Sequence, residues 1–341
     1  MIQPQSAPNT KSTNDINWGI IAPGKIAQKF ATALQGVNGA ALYSVASRDL
    51  SRAHAFADQF GFETVAADYD ALISDPKVDV IYIASPHTFH TEQSIACLAG
   101  AKPVLCEKPM SINAKQAQSV FTAAKDNKTF YMEAVWTRFM PMLAKVREII
   151  DSGRIGEIQT AQASFGIDVP FSPQHRLYEP KLAGGALLDV GIYTITFAQW
   201  LMQTPPEQIT AAAQLGTTGV DERTAVILRY PEGQLLTLNS AINSKSNHEA
   251  WIFGSKGRIK MSAFWQCQEI ALYPDGADGE QEIIKIPHRI NGYEGEIEEV
   301  NRCLRAGKIE SEIFPWSESL TVMQIMDEAR RQIGLRYDCE D

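Results

Sequence analysis

The sequence predicts an α/β fold in two parts: a doubly wound parallel sheet, then an α+β domain with a large, mostly antiparallel open sheet. Strand and helix patterns alternate between residues 16 and 138, which is typical of a parallel sheet with crossover helices. Strand patterns separated by short turns cluster in the second half. The 341 residues are enough for two hydrophobic cores, so we expect two domains, 16–138 and 139–341, behind a flexible leader, 1–15.

The first half alternates strands and helices in order. The strand patterns are WGIIA, AALYSVAS, VDVIYIAS, KPVLCEKP and TFYMEAVW. The helical patterns between them are GKIAQKFATALQG, DLSRAHAFADQFG, TEQSIACLAGA and NAKQAQSVFTAAKDN, and Asp49 is the expected N-cap of the second. The unbroken apolar run of VDVIYIAS fits a central parallel strand, which is buried on both faces.

The second half has a different rhythm. It opens with a helix, PMLAKVREIIDSG, a strand, EIQTAQASFGI, and a helix started by glycine, GGALLDVGIYTITFAQWLM. Five strand patterns follow: QITAAAQLG, RTAVILRYP, GQLLTLNSAI, EAWIFGSKGRIKM and EIALYP. Short turns such as YPEGQ and GSKGR predict an antiparallel meander. Two helices, YEGEIEEVNRCLRAG and SESLTVMQIMDEARRQIG, complete the pattern.

Charge and composition argue against several classes of protein. The 40 acidic and 31 basic residues give a net charge of −9, which disfavours a nucleic-acid partner. No apolar run approaches the roughly 20 residues of a membrane span, and the leader lacks the apolar segment of a secretory signal. The 5 cysteines form no C-x-x-C pair, so we expect reduced thiols in a cytoplasmic protein.

A glycine turn follows the first strand. Pyrophosphate-binding turns read G-x-G-x-x-G/A between a strand and a helix, and here the turn is formed by Ala22, Pro23, Gly24, Lys25 and Ile26. The alanine replaces the first glycine and is expected at negative φ, and the proline removes one N–H donor. The context of strand, turn and helix favours a cofactor loop; the alternative is a purely structural turn.

The end of the second predicted strand indicates which dinucleotide fits. NAD sites carry an acidic residue there, about 20 residues after the glycines, to bind the ribose diol. This chain instead has Ser47 and Arg48, and a guanidinium binds a 2′-phosphate with forked, charge-assisted bonds. The next residue, Asp49, is assigned to helix capping. We therefore expect NADP rather than NAD; the alternative for Arg48 is a solvated surface charge.

Two further stretches carry chemistry: Glu107 and Lys108 are candidate cofactor-binding residues, and Lys108, Asp189 and Tyr193 are candidate catalytic residues. Glu107 and Lys108 lie at the carboxyl end of a predicted buried strand, where ligands bind in open α/β sheets. A lysine there is costly unless it serves an anionic or hydroxylated partner. Asp189 and Tyr193, four residues apart, share one face of a largely buried helix and need polar partners. The alternative for the tyrosine is a satisfied hydroxyl in the core.

The loop SPHTFH follows the central strand. His87 and His90 are two candidate metal ligands with no third nearby, whereas a catalytic zinc usually has three, so we expect no metal. The loop, including Ser85, is assigned to cofactor contact instead. The side chains that could line a substrate pocket are Trp136, Phe165, Arg176 and Trp265. For the aromatic ones, ordinary core packing is the alternative.

Taken in order, WGIIAPGKIA, VASRDLSRAHAFA, VDVIYIASPHTFH, VLCEKPMSINAKQA and GGALLDVGIYTI resemble the glucose-fructose oxidoreductase/inositol dehydrogenase (Gfo/Idh/MocA) family. The resemblance covers nearly the whole chain after the leader. EAVWTRFMP, ASFGI and GSKGRIKM are most similar to its branch of dimeric dihydrodiol dehydrogenases and NADP-dependent D-xylose dehydrogenases. Members of that branch often lack the first glycine of the turn, which favours the cofactor loop. Many family members have histidine where this chain has Tyr193.

The resemblance implies a Rossmann domain, a second domain whose large sheet forms a homodimer, and an active cleft between the domains. Lys108 would hydrogen-bond the substrate hydroxyl, Tyr193 would act as general acid/base, and Asp189 would orient the pair. His90 and Arg138 would lie near the nicotinamide half of the cofactor. An alcohol oxidation needs a base and a nearby ammonium favours a phenolate, so we expect Lys108 to lower the pKa of Tyr193.

The motifs favour an NADP-dependent oxidoreductase, and the resemblance implies that it acts on a secondary alcohol or carbonyl of a sugar, such as the aldose D-xylose, or of a trans-dihydrodiol. Nicotinamide supplies the redox chemistry, so the reaction needs no metal. Two alternatives stay open. One is a catalytically silent NADP-binding sensor of the same fold. The other is a lyase that forms a Schiff base on Lys108.

Overall fold

Six parallel strands form the first sheet of the computed structural model, which describes residues 15–274 and 280–340. The strands are β1 (Ile16–Ile21), β2 (Ala40–Ala46), β3 (Thr64–Val65), β4 (Val80–Ile83), β5 (Val104–Glu107) and β6 (Tyr131–Ala134). Their order, β3-β2-β1-β4-β5-β6, is that of a doubly wound dinucleotide-binding sheet and confirms the predicted fold class. The predicted leader lies outside the described residues except for Asp15.

Five helices make the crossovers between these strands. They are α1 (Lys25–Gln35), α2 (Leu50–Phe60), α3 (Tyr69–Ser74), α4 (His90–Ala99) and α5 (Ala114–Asp126). Asp49 caps α2 as predicted, because its carboxylate accepts the N–H of Ser51 at 3.0 Å and that of Arg52 at 3.3 Å. Neither α3 nor β3 was expected, since such short elements carry too little periodicity to be recognised.

The carboxyl ends of the central strands meet at one edge of the first sheet. Ile21 at the end of β1 pairs with Ala46 of β2 and with Ile83 of β4, and Ile83 pairs with Cys106 of β5. The segments that follow these positions therefore lie side by side. They are the glycine turn, Ser47–Arg48, the SPHTFH loop and Glu107–Lys108. Parallel strands thus gather motifs that are far apart in sequence.

Eight strands form the second sheet: β7 (Ile158–Gly166), β8 (Gln208–Leu215), β9 (Asp221–Arg229), β10 (Leu235–Ala241), β11 (Ala250–Gly254), β12 (Gly257–Met261), β13 (Glu269–Pro274) and β14 (Glu282–Lys285). Their order is β14-β13-β12-β11-β7-β10-β9-β8. The prediction of one meander is wrong, because β7 inserts between β11 and β10 and pairs with β10 in parallel. The other pairs among the described strands are antiparallel, which confirms the expected mostly antiparallel sheet.

The remaining helices are α6 (Pro141–Asp151), α7 (Ile192–Met202), α8 (Glu294–Arg305) and α9 (Trp316–Ile333). The single helix predicted from GGALLDVGIYTITFAQWLM is instead a π-helical turn, Leu187–Gly191, that runs into α7. Both α8 and α9 return to the first sheet. The indole of Trp18 donates to Asn301 at 3.2 Å, and that of Trp316 donates to the carbonyl of Tyr131 at 2.9 Å.

Within the described residues, one helical stretch, Pro180–Met202, is long and apolar enough to cross a membrane. This differs from the expectation that no apolar run approaches that length. However, 94% of its most apolar 18-residue window is buried inside the protein, which fits a core helix. The five cysteines are free thiols, as predicted.

Candidate active site

Lys108 lies at the carboxyl edge of the first sheet, next to the π-helical turn and α7. It directly follows β5, its Nζ donates to the main-chain oxygen of Asp189 at 2.6 Å, and it lies 3.7 Å from the carboxylate of that residue. The ammonium also lies 4.9 Å from the ring centroid of Tyr193. The fold thus brings together the three residues predicted to be catalytic, although Lys108 and Asp189 are 81 positions apart. An ammonium paired with a carboxylate does not fit the free amine that Schiff-base chemistry needs.

Asp189 is a buried carboxylate shared by two cations. It lies in the π-helical turn, and Arg176 Nη1 donates to its Oδ1 at 2.8 Å. Burial by itself raises the pKa of Asp189, but Lys108 and then Arg176 outweigh that effect and hold the pKa well below its usual range. Asp189 therefore stays ionised and orients the ammonium. Arg176, predicted to line the pocket, is 53% exposed on the outer side of this carboxylate.

Tyr193 is a neutral phenol in this arrangement. Burial raises the pKa of Tyr193 well above its ordinary value, and the charge of Glu107 raises it further. A 3.1 Å hydrogen bond from Trp136 Nε1 to Tyr193 Oη opposes the rise. The expectation that Lys108 brings this pKa down is wrong, because burial and the neighbouring carboxylates dominate. The ammonium donates to Asp189 rather than to the hydroxyl.

Aromatic side chains enclose one side of Tyr193. Phe165 and Trp265 stack with centroids 5.0 Å apart and lie 5.4 Å and 6.2 Å from the tyrosine ring. Trp136 stacks on Tyr293 at 4.6 Å and meets Trp265 edge-on at 5.8 Å. The three aromatic residues predicted to line a pocket therefore form one cluster around the tyrosine.

Two buried groups next to this site, the hydroxyl of Tyr82 and the carboxyl of Glu296, were not predicted from the sequence. The Tyr82 hydroxyl donates a short hydrogen bond to Glu107 Oε1, and the other oxygen of Glu107 accepts the N–H of Lys108 at 3.2 Å. Glu296 of α8 is fully buried, and burial raises the pKa of Glu296 well above its usual value. A tyrosine inside the unbroken apolar run VIYI signals a polar partner, whereas nothing in EGEIEEV distinguishes Glu296 from its neighbours.

The carboxyl edge of the first sheet fits a dinucleotide. A side chain on Gly24, the N-cap of α1, would approach only the carbonyl of Ala22, at 3.9 Å, so the backbone is open to a phosphate. Ala22 has φ of +62°, so the expected negative φ is wrong. The alanine keeps the left-handed conformation that glycine favours, at a cost of about 1 kcal/mol. Arg48 is exposed beside Ser47, with its guanidinium 5.6 Å from the ring centroid of Phe89.

The other residues assigned to the turn lie at the start of α1. Pro23 is buried, Lys25 is exposed as the first helical residue, and Ile26 is half-buried. The first N–H groups of a helix have no partner within the helix and lie at its positive end. This end of α1 is therefore suited to an anion.

The two histidines of the SPHTFH loop hold loops together. His87 Nε2 is bonded to the carbonyl of Ala183 at 2.9 Å. The two ring nitrogens of His90 lie 2.8 Å from the carbonyl oxygens of Ser85 and Pro109, and the neutral ring donates to one of them. Burial lowers the pKa of each imidazole to about 4, so both are neutral at pH 7. These contacts place His90 between the two loops, and its contact with the nicotinamide half of the cofactor stays a prediction.

The side chain of Arg138 is bonded to α9 and to the segment that precedes it. Its Nη2 donates to the carbonyl of Ile313 at 2.8 Å and to Glu318 of α9 at 2.9 Å. A buried guanidinium needs a counter-ion, and Glu318 supplies it; the place of Arg138 near the nicotinamide stays a prediction. Ser85 donates from Oγ to Gln93 at 2.6 Å.

The hydroxyl of Tyr193 can exchange a proton with a substrate oxygen atom, and the ammonium of Lys108 can hydrogen-bond that same oxygen. In the described part of the chain, no group of three His, Cys, Asp or Glu side chains is arranged to hold a metal ion. A dinucleotide-binding sheet with a lysine–tyrosine pair at its carboxyl edge defines a class of protein, the nicotinamide-dependent oxidoreductases.

Known protein families match both halves of the chain. Residues 16–135 match the model of the oxidoreductase family with an NAD-binding Rossmann fold, and residues 143–260 match the GFO/IDH/MocA C-terminal domain. The chain belongs to the Gfo/Idh/MocA family of oxidoreductases, as its motifs predicted.

Several relatives match almost the whole chain. Trans-1,2-dihydrobenzene-1,2-diol dehydrogenase of Mus musculus is 35% identical over 330 residues, covering 94% of this chain and 98% of that one. D-xylose 1-dehydrogenase (NADP(+)) of Hypocrea jecorina is 34% identical, covering 94% and 93%. A solved structure of a 3-ketoreductase from Actinomadura kijaniata with NADP and TDP-benzene has a TM-score of 0.85 at 26% identity, covering 94% and 98%.

Proposed function

We propose that this protein is an NADP(H)-dependent dehydrogenase or reductase acting on a secondary alcohol or carbonyl of a sugar or a trans-dihydrodiol. The observation that carries this is the Lys108 ammonium between Asp189 and Tyr193 at the carboxyl edge of the first sheet. The relatives named for a dihydrodiol and for D-xylose, and the ketoreductase solved with NADP, support this cofactor and these substrate classes.

The cofactor-binding residues follow from the edge of the first sheet. NADP(H) supplies or accepts the hydride when it is bound. We assign its pyrophosphate to the turn at Ala22–Gly24 and the first N–H groups of α1. We assign its 2′-phosphate to Ser47 and Arg48. The neighbouring Asp49 is directed to the N-terminus of α2, so its carboxylate is engaged in capping rather than aimed at the phosphate.

Tyr193 exchanges the proton with the substrate. As a neutral phenol it donates its Oη proton to the substrate oxygen when a carbonyl becomes an alcohol, which leaves a phenolate; in the reverse direction the phenolate accepts the proton of the alcohol. Lys108 has three N–H donors, one of which is used on the main chain of Asp189, so the others suit the same substrate oxygen. Asp189 keeps the ammonium in place, and the aromatic cluster excludes water from one side.

A screen of turnover tests this function. NADP⁺ reduction is measured with D-xylose, other pentoses, hexoses and trans-diols, and NADPH oxidation with the matching carbonyl compounds. We expect turnover with at least one class, loss of turnover in Tyr193→Phe with NADP binding retained, and normal turnover in the control Tyr69→Phe on α3. Tight NADP binding without turnover of any substrate would instead favour a catalytically silent sensor.

We also propose a homodimer formed through the outer face of the second sheet. Ile227 on β9 and Leu235 on β10 are each 41% exposed on this face. On the neighbouring strands Trp251 stacks with Phe253 at 5.7 Å and with Tyr273 at 5.9 Å, and all three are half-buried. A cavity of about 470 Å³ lies over the outer face of the neighbouring strands β7, β10, β9 and β8. Such an apolar, concave face suits a second copy of the chain.

Sedimentation velocity at micromolar concentration tests the dimer. We expect a dimer for the wild type, a monomer for Ile227→Glu, and a dimer for Leu50→Glu, whose side chain is 47% exposed on α2. A monomeric wild type would contradict the proposal.

We place the protein in the cytoplasm, without nucleic-acid or membrane partners, and we keep the domain boundary at residue 138. The five free thiols support the cytoplasmic location, the net charge of −9 argues against a nucleic-acid partner, and the burial of Pro180–Met202 argues against a membrane partner. Recovery of the native protein from a membrane or secreted fraction would argue against it.

A further inference from the structure

The last described residues contact both halves of the candidate active site. After α9 ends, residues 335–340 fold back towards the first sheet, and we refer to them as the C-terminal strap. The strap is held in shape by Glu340, whose carboxylate binds Arg330 of α9 and accepts the N–H of Tyr337 at 2.9 Å. Its position is therefore tied to the end of α9.

One side of the strap binds the loop that follows Lys108. Asn113 Nδ2, at the end of this loop, donates to the carbonyl of Glu340 at 3.3 Å, and Gln116 Nε2 at the start of α5 donates to the carbonyl of Cys339 at 3.0 Å. Arg330 Nη2 donates to the carbonyl of Ile112 at 3.1 Å. Since Ile112 lies only a few residues after Lys108, these contacts restrain the loop that carries the ammonium.

Tyr337 of the strap binds the turn that precedes the π-helical turn. Its hydroxyl belongs to a side chain only 1% exposed and donates to the carbonyl of Gly184 at 2.5 Å. From the other side, Asp221 Oδ2 accepts the N–H of Leu187 at 2.8 Å. A side chain at Gly185, where φ is +127°, would lie 3.1 Å from the Tyr337 hydroxyl and 2.1 Å from Asp221. The turn is thus closely packed between these two residues.

We propose that Tyr337 is a positioning residue for hydride transfer, and that the C-terminal strap sets the position of Lys108 relative to Asp189 and Tyr193. The strap is bonded both to Asn113, at the end of the loop that follows Lys108, and to the turn that precedes the Asp189–Tyr193 segment. This proposal rests on the proposed function, because hydride transfer is the reaction that depends on this distance. The competing explanation is that the strap only adds stability.

Tyr337→Phe tests the proposal with a single lost hydrogen bond. The variant keeps the ring, over which the Arg330 guanidinium lies at 5.5 Å from the centroid. We expect the single-turnover rate constant for hydride transfer to fall roughly 3- to 10-fold, with the dissociation constant of NADP unchanged. The matched control is Tyr230→Phe. Tyr230 is fully buried, and its hydroxyl has no hydrogen-bond partner among the described residues, so we expect the wild-type rate constant.

Two readouts separate positioning from stability. A partly unfolded population would lower the amplitude of the single-turnover transient and leave its rate constant unchanged, whereas positioning lowers the rate constant at full amplitude. Hydrogen exchange, which needs no turnover, should become faster in residues 184–193 of Tyr337→Phe and not in Tyr230→Phe. An unchanged rate constant and unchanged exchange would overturn the proposal. If exchange is faster in Tyr337→Phe but the wild type turns over no substrate, the proposed function is refuted, while the restraint of residues 184–193 by the strap is supported.

Discussion

The indole N–H of Trp136 donates a 3.1 Å hydrogen bond to the hydroxyl oxygen of Tyr193. A donor to this oxygen stabilises the phenolate and therefore opposes the large rise in the pKa of Tyr193 that burial and Glu107 produce. The same indole stacks on Tyr293, so it fixes both the orientation and the acidity of the proposed acid/base.

Trp136→Phe keeps an aromatic ring in this stack and removes the donor. We expect oxidation at pH 7 to slow by about 3- to 10-fold and its pH profile to shift to higher pH, since one hydrogen bond contributes roughly 0.5–1.5 kcal/mol. The measurement is kcat/KM for alcohol oxidation between pH 6 and 10. Trp316→Phe is the control, because it also loses an indole hydrogen bond, to the carbonyl of Tyr131, away from the site. An unshifted profile in Trp136→Phe would mean that this bond does not tune Tyr193.

Lys108 and Tyr193 should behave as one catalytic unit. Tyr193→Phe is expected to bind NADP almost normally and to lose about 10²- to 10⁴-fold in kcat, as is typical for a general acid/base. Lys108→Met should also lower kcat, and the double variant should be scarcely worse than the worse single variant, because groups that act together are non-additive. Single-turnover rates decide the point. Losses that multiply in the double variant would show that the two residues act separately.

Arg48 should determine the preference for NADP. Arg48→Ala removes a forked contact to the 2′-phosphate worth about 1.5–3 kcal/mol, so kcat/KM with NADP should fall roughly 10- to 150-fold while kcat/KM with NAD changes little. The control is Arg154→Ala, which removes an exposed arginine paired with Glu282 on the second sheet. A wild type that prefers NAD, or an unchanged ratio of the two efficiencies in Arg48→Ala, would contradict the assignment.

Glu133 should make the stability of the protein depend on pH. Burial raises the pKa of Glu133 from 4.5 to about 7, although its carboxylate accepts hydrogen bonds from Met110 N and Ser319 Oγ. The pKa of Glu133 is higher in the folded than in the unfolded state. Its contribution to the stability of the fold is therefore complete below about pH 4.5, where the carboxyl is protonated in both states, and is lost as the pH rises through 7. The side chain introduced by Glu133→Gln stays neutral at every pH. The free energy of unfolding of this variant, relative to that of the wild type, should therefore rise by roughly 2 kcal/mol between pH 5 and pH 8.

Denaturant unfolding at both pH values measures this difference. The control is Glu92→Gln, at an exposed position on α4. This substitution should change the free energy of unfolding by the same amount at pH 5 and pH 8. If the Glu133→Gln curve follows the wild type at both pH values, then Glu133 does not carry the pH dependence.

Ala22 should store backbone strain. Its φ of +62° is in the left-handed region, where an L side chain costs about 1–2 kcal/mol, so Ala22→Gly should stabilise the protein by roughly 0.5–1 kcal/mol after the larger entropy loss of glycine is subtracted. The reverse change, Gly61→Ala, is the matched control. Gly61 ends α2 at φ +80° with open space around its Cα, so alanine there should destabilise by about 1 kcal/mol. Thermal melts of both variants measure the effect; a less stable Ala22→Gly would contradict it.

Local patterns were sufficient for much of the fold and for the identity of the central groups. Unbroken apolar runs between helical segments predict parallel strands, and VDVIYIAS contains β4 at the centre of the first sheet. Motifs that follow such strands must share one edge, which is why Lys108 could be placed near the glycine turn. Elements too short to show a period, such as β3 and β14, could not be predicted, and neither could the place of β7 inside the meander, since strand order depends on pairing between distant segments.

By itself, the sequence determined the strand and helix periodicities, the order of the motifs and the presence of Lys108, Asp189 and Tyr193. Only the tertiary structure decided what surrounds these groups. Arg138 pairs with Glu318, 180 positions away, and Tyr337 binds Gly184, 153 positions away. The direction of the pKa shift of Tyr193 is set by burial and by Glu107 at the end of β5 rather than by the neighbouring lysine. Desolvation and Coulomb interactions depend on three-dimensional proximity, and side chains brought together from opposite ends of the chain leave no local pattern in the sequence.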